Sequence, residues 1–115
     1  MQFLNRSVAI IKPKQPFVDW VNSTDPDSDF KMTLELIRSN PICLLIPEFD
    51  DPDEGQNYIK KHYNDIWHWA LYGYWTDEKD YPKNRTHEKF QDWFDVELGS
   101  EVIDYVNGKI TKEDM

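Results

Sequence analysis

Five carboxylates lie within seven residues of the segment PEFDDPDEG, with no basic side chain among them. A group of this kind can bind a metal ion, present a negative surface to a partner, or begin a helix. Asp51 precedes Pro52, and Glu54 follows three residues after Asp51, which is the pattern of a helix capping box with proline in the first turn. The sequence therefore predicts a helix start here and leaves Glu48 and Asp50 as exposed loop acids.

A second acidic segment, DPDSDF, places aspartates at alternating positions, as a calcium-binding loop does. An EF-hand loop that begins at Asp25 needs glycine at its sixth position and glutamate at its twelfth. This chain has Phe30 and Leu36 at those positions. The segment therefore indicates an ordinary turn, and we assign no metal site and no cofactor.

The three histidines are the remaining candidates for acid–base chemistry. His62 and His68 are six residues apart on one predicted helix, whereas zinc-binding helices use pairs four residues apart. Asp65 and Tyr72 can each share a helix face with His68. We keep Asp65, His68 and Tyr72 as an alternative small-molecule or enzymatic site, lined by aromatics of this helix. No serine can be placed beside a histidine, so no catalytic residue is assigned and a non-enzymatic role is favoured.

Aromatic side chains are frequent in the loop YGYWTDEKDYPKNR, which follows the longest predicted helix. Tyrosine, tryptophan and arginine are enriched at the energetic centres of protein interfaces. Tyr74, Trp75 and Tyr81 are therefore candidate partner-binding residues, and loop 72–85 is a candidate homodimer interface. The alternative is that Tyr74 and Trp75 close the hydrophobic core.

The composition is that of an acidic globular domain. The 115 residues are 39% hydrophobic and 15% aromatic, and the net charge is −9. This charge opposes direct binding to nucleic acid or to an anionic membrane, both of which need clustered lysine and arginine. It permits a basic protein partner, a cationic substrate or plain solubility, and Glu48, Asp50, Asp51 and Asp53 are the candidate contacts for a partner.

The acids are concentrated in two segments of the chain. Residues 24–56 hold nine acids and two bases, and residues 90–115 hold seven acids and two bases. If loop 25–29, loop 48–54 and the outer face of the last strand adjoin, they form one anionic surface. An inhibitor, an immunity protein or a nucleic-acid mimic would use such a surface to capture its partner.

The hydrophobic pattern predicts the elements that position these groups. SVAIIKP, PICLLIPE and DVELGSEV are predicted strands, and in the last one Val96 and Leu98 face inward while the acids face outward. Helices are predicted in QPFVDWVNS, in FKMTLELIRSN, from about residue 53 to 72, and in THEKFQDWF. The order is strand, helix, helix, strand, helix, helix, strand. It predicts an α+β fold with a small sheet of about three strands and helices packed on it.

Three finer expectations follow from the same pattern. Helical crossovers between strands favour parallel pairing. The strand PICLLIPE shows no alternation, which is typical of burial on both faces and predicts that Cys43 is a buried small hydrophobe. Residues 100–107 fit either a strand or a short helix that stops at Gly108.

Residues 1–115 are expected to form one domain with its core in residues 7–106 and a loose tail, 107–115. The run VAII is too short for the hydrophobic part of a secretory signal. No run approaches the length of a membrane span. These features favour a soluble, cytoplasmic protein.

The phrases AIIKPKQPFVDWVN, LLIPEFDD and FQDWFDVELGSEV resemble those of small uncharacterised bacterial cytoplasmic proteins. The resemblance covers most of the chain, from Val8 to Asp104. It implies no activity and no functional residues.

Overall fold

The computed structural model describes residues 1–115 and has an α+β fold, as the sequence predicts. The strands are β1 (Gln2–Phe3), β2 (Arg6–Pro13), β3 (Ile42–Pro47), β4 (Phe94–Gly99) and β5 (Ile103–Asp104). The helices are α1 (Gln15–Thr24), α2 (Leu34–Arg38), α3 (Pro52–Tyr72) and α4 (His87–Trp93), with a 3₁₀ turn at Glu78–Asp80.

The main sheet has three strands in the order β3-β2-β4, and β1 pairs with β5 in a separate two-stranded ribbon. All pairs are antiparallel, so the expectation of parallel strands is wrong. The reason lies between β2 and β3, where α1 and α2 carry the chain out and back. Arg38, the last residue of α2, donates from Nη1 to the Pro13 carbonyl at 3.1 Å. The chain therefore enters β3 beside the end of β2 that it left.

The predicted helix starts are confirmed by their capping contacts. The Asp51 side chain accepts a hydrogen bond from the Asp53 N–H at 2.9 Å, and Glu54 accepts from the Asp51 N–H at 3.4 Å. Thr86 caps α4 in the same way through the Lys89 N–H. The helix predicted in FKMTLELIRSN is shorter than expected, because Thr33 caps it and only Leu34–Arg38 is helical.

The helices cover one face of the main sheet. Alternate residues of the central strand β2 are buried on that face, among them Ala9 and Ile11. Aromatic rings of α1, α3 and α4 meet there. The Phe17 ring of α1 lies 5.3 Å from the Phe94 ring of β4, and the Trp67 ring of α3 lies 5.3 Å from the Trp93 ring of α4, measured between ring centroids. Aromatic side chains therefore carry much of the burial.

The expected burial of Cys43 is wrong. Cys43 is exposed and Leu45 is 53% exposed, because β3 is an edge strand and these residues point away from the helices. The inward residue Ile46 is buried. The unbroken apolar run of β3 therefore places some side chains on the packed face of the sheet and others on the face that is open to solvent.

The last part of the chain forms one short strand, followed by a stretch without regular structure. Residues 100–107 contain no helix, and Ile103–Asp104 form β5 opposite Gln2–Phe3. Residues 107–115 have no helix or strand and are exposed. None of the helices combines the length and the apolar character that crossing a membrane requires.

One buried hydroxyl joins three separate segments of the chain. Ser7, in β2, is fully buried and is the only polar side chain in the buried set. Its Oγ donates to the Ser100 carbonyl at 2.9 Å and accepts from the Phe49 N–H at 3.1 Å. The loop before α3 and the segment after β4 are therefore held side by side.

We expect Ser7→Ala to lower the free energy of unfolding by about 1–3 kcal/mol, because the Phe49 N–H is left buried without its acceptor. Urea denaturation measures this change. Ser39→Ala removes an exposed hydroxyl that donates only to the Leu36 carbonyl of its own turn. We expect the free energy of unfolding of this variant to stay within about 0.5 kcal/mol of that of the unsubstituted protein. Equal losses in the two variants would contradict the role assigned to Ser7.

Candidate functional site

The acidic group lies at the start of α3, partly in the loop before the helix and partly in its first turn. The side chains of this group are exposed, and Glu101 follows the Ser100 carbonyl that Ser7 holds beside Phe49. We name this surface the anionic end and define it by six residues: Glu48, Asp50, Asp51, Asp53, Glu54 and Glu101. Glu101 belongs to the second acidic segment of the sequence, so part of that segment does adjoin the first.

None of the six carboxylates of the anionic end has a cationic group within 4.0 Å. The acids of β4 differ in this respect. Glu97 pairs with Lys12 at 2.8 Å, and Asp95 pairs with Arg38 at 3.0 Å. The outward face of β4 is therefore locally neutralised, whereas the anionic end keeps its charge.

Local packing holds the anionic end against the sheet. Phe49 is buried between two exposed acids, and Gly55 is buried one turn into α3. A Cβ atom on Gly55 would lie 2.9 Å from Leu98 Cδ1 and 2.9 Å from Phe49 Cε1. A side chain at residue 55 would have to displace the ends of the Leu98 and Phe49 side chains, because the start of α3 approaches β4 and the loop before it closely.

The aromatic loop lies at the other end of α3. This helix has 21 residues, and at 1.5 Å per residue its ends are about 30 Å apart. Tyr74 shares a groove with Asp25, so the loop 25–29 also belongs to this far end. Loop 25–29 and loop 48–54 therefore do not belong to one anionic surface. The predicted partner-binding residues are also divided, with the acids at the start of α3 and the aromatics beyond its other end.

The residues of the aromatic loop differ in exposure. Tyr81 is buried and donates from its hydroxyl to the Trp75 carbonyl at 2.6 Å, while Trp75 is half-buried and donates from Nε1 to Asp80 Oδ2 at 2.9 Å. Tyr74 is 43% exposed. Tyr81 and Trp75 thus help to close the core, and Tyr74 remains accessible.

A pocket of about 430 Å³ lies between α3 and the segment from the 3₁₀ turn to Arg85. Six of its eight lining residues are polar or charged, and the other two are Tyr81 and Pro82. Asn64 and His68, four residues apart, present one face of α3 to it. The other lining residues come from one stretch of chain: Glu78, Tyr81, Pro82, Lys83, Asn84 and Arg85.

Of the three residues kept as an alternative site, only His68 lines this pocket. Its Nε2 lies 3.4 Å from Glu78 Oε1. Asp65 is exposed, and Tyr72 stacks on Trp69 with ring centroids 6.4 Å apart. The sequence argument missed Asn64 and Arg85. The available signals were the spacing of four residues between Asn64 and His68 on α3, and the cations in PKNR.

No three histidine, cysteine or acidic side chains are grouped so that they could hold a metal ion. The chain matches no protein-family model, and neither a curated protein nor a solved structure matches it. A function for this chain can therefore be inferred only from the geometry of its own residues.

We expect Gly55→Ala to destabilise the protein by about 1–3 kcal/mol, because the new methyl group overpacks the contact with Leu98 and Phe49. Gly73→Ala is the matched control, since Gly73 ends the same helix with a right-handed φ of −64°. Its Cβ would meet nothing closer than 3.6 Å. We expect no loss there. Thermal unfolding of both variants tests this difference, and a stable Gly55→Ala variant would contradict the close approach.

Burial raises the pKa of the Tyr81 phenol above its ordinary value, and Glu78 adds to the effect while Arg85 opposes it. The unfolded chain therefore releases this proton at a lower pH than the folded protein. The free energy of unfolding should fall as the pH rises through about 10 and above.

We expect this alkaline decline to be shallower in Tyr81→Phe, although that variant loses the hydrogen bond to Trp75 and is less stable at neutral pH. Urea denaturation from about pH 8 to 11 measures both effects. Tyr105→Phe is the control, because Tyr105 is 81% exposed. Parallel pH profiles for Tyr81→Phe and the unsubstituted protein would contradict the prediction.

Proposed function

We propose that this chain is a non-enzymatic binding domain that captures a basic protein through the anionic end. The observation that carries the proposal is the set of six carboxylates with no cation within 4.0 Å. Asp95 and Glu97 on β4 do have basic partners, whereas exposed acids elsewhere, such as Asp25, Asp27 and Asp29, also lack one. The anionic end is distinguished by the concentration of its carboxylates, five of them within seven residues. A basic surface on another protein would supply the partners that these six lack.

The arrangement of the anionic end supports capture rather than mere solubility. Carboxylates held close together repel one another, and a cationic partner relieves that repulsion. The Ser7 hydrogen bonds and the capping box hold the backbone that carries them, so little ordering is needed on binding. A surface of one sign also accelerates the encounter with a partner of opposite charge.

This mode of binding is the one expected of an inhibitor, an immunity protein or a mimic of nucleic acid. In each case a protein with a basic site is blocked by a small acidic one. The net charge of −9 is consistent with that class. No catalytic role is needed for it, and we assign none.

The test compares two triple variants with the same change in net charge. Asp50→Asn, Asp51→Asn and Asp53→Asn together neutralise half of the anionic end, and asparagine preserves the cap at residue 51. Asp25→Asn, Asp27→Asn and Asp29→Asn neutralise three exposed acids at the far end. Partners are captured from a lysate of the source cell at low and at high salt, identified, and their affinities measured with purified protein.

We expect capture of a basic protein at low salt that weakens at high salt, because exposed charge contacts are screened. Neutralising the anionic end should weaken that affinity about tenfold, since exposed ion pairs contribute about 0.2–1 kcal/mol each. The far-end variant should bind nearly as well as the unsubstituted protein. Equal effects of the two variants, or an affinity insensitive to salt, would contradict the proposal.

Self-association through the aromatic side of the far end is a second candidate. Trp69, Tyr72 and Tyr74 are 44%, 49% and 43% exposed, and exposed aromatics of this kind are common at interfaces. Sedimentation at rising protein concentration tests it. A dimer that Trp69→Ala and Tyr72→Ala dissociate would support this candidate, and a monomer at high concentration would exclude it.

A further inference from the structure

We propose that the polar pocket beside His68 binds a small oxyanion, the carboxylate or phosphate group of a metabolite, with Arg85 as its main contact. This site is separate from the anionic end and does not depend on the binding function proposed for it. The pocket volume of about 430 Å³ is in the lower part of the range of small-molecule sites. Its polar lining favours a small charged ligand over an apolar one.

The Arg85 side chain is held in place by the pocket wall. Its Nε donates to Asn64 Oδ1 at 3.1 Å, and its Nη1 donates to the Pro82 carbonyl at 3.4 Å. The Arg85 carbonyl accepts from the Tyr63 hydroxyl at 3.1 Å. The second terminal nitrogen, Nη2, has no acceptor in the chain. A guanidinium fixed in this way is ready to donate to an oxyanion at little entropic cost.

The pocket has an excess of positive charge, although the protein as a whole is acidic. Lys83 and Arg85 have no carboxylate within 4.0 Å. Lys83 Nζ donates instead to the Lys79 carbonyl at 3.1 Å. The one acid of the lining, Glu78, already lies 3.4 Å from His68 Nε2. The two cations are therefore not neutralised by the chain itself.

The backbone brings successive residues into the same pocket. Asn84 has a φ of 55°, in the left-handed region. In an extended chain, neighbouring side chains point to opposite sides. Here Lys83, Asn84 and Arg85 all line one pocket, because the chain bends at Asn84. Asparagine is one of the few residues other than glycine that adopt this conformation readily.

The test is a titration of ¹⁵N-labelled protein, followed by NMR, with inorganic phosphate and separately with succinate. Sodium chloride keeps the ionic strength constant, so that non-specific charge effects do not change. We expect saturable shifts of the amide signals of the lining residues, Asn64, His68, Lys83, Asn84 and Arg85. A response to one probe alone identifies the preferred group, and a response to both supports recognition of oxyanion charge.

Two variants assign the binding to the pocket. Arg85→Gln should weaken the affinity about tenfold, because it removes a charge-assisted donor. Lys83→Gln should weaken it by about threefold, since an exposed lysine contributes less. Lys83→Gln leaves the Asn64 contact of Arg85 intact, so it still tests whether the pocket binds the oxyanion if Arg85→Gln does not fold. Lys60→Gln is the control, because Lys60 is exposed on α3 and does not line the pocket.

Three results would overturn the proposal. One is the absence of saturable shifts with either probe. Another is a set of shifts centred on other lysines, which would indicate an adventitious ion only. The third is a folded Arg85→Gln or Lys83→Gln variant that binds as tightly as the unsubstituted protein.

Discussion

The Ser7 hydroxyl is the contact on which the arrangement of the charged surface depends. It is fully buried, and it bonds at once to the loop before α3 and to the segment after β4. A buried hydroxyl must have partners, because an unpaired polar group in the core costs free energy. Here the partners are 42 and 93 residues away. Together with the pairing of β3 and β4 to β2, this one side chain thus holds side by side two segments whose acids are distant in sequence.

The long helix α3 separates two regions of different chemistry. Its first turn carries the anionic end, where carboxylates have no cationic neighbours, and its last turns carry exposed aromatics and the wall of the polar pocket. Asn64 and His68 lie 10 and 14 residues beyond Glu54, which is about 15–21 Å along the helix, and this distance exceeds the screening length of about 8 Å at physiological salt. The negative field of one region is therefore weak at the other. A cationic pocket and an anionic surface can coexist on one small domain.

The aromatic core connects the fold to the pocket. Trp20 donates from Nε1 to the Asp80 carbonyl at 2.9 Å, and the Tyr81 ring packs against both Trp20 and His68. The segment that lines the pocket is thereby fastened to α1 and α3. The Nε1 of Trp67, deep in the same core, has no hydrogen-bond partner. The Trp67 ring packs against three others, those of Phe90, Trp93 and Phe94, so this position is one where ring area contributes more than the polar atom.

Local chemistry in the sequence was enough to predict the order of the three main strands and the four helices, the capping box at Asp51 and the inward residues Val96 and Leu98 of β4, because caps and periodicity involve neighbours along the chain. It did not predict β1 or the ribbon that β1 forms with β5. It could not predict that β3 is an antiparallel edge strand with Cys43 exposed, since strand direction depends on where α2 returns the chain. Nor could it separate the acids that are paired on β4 from those that are unpaired at Glu48–Glu54. The junction of Phe49 with Ser100 and the joining of Asn64 to Arg85 are contacts between distant segments, and only tertiary packing decides them.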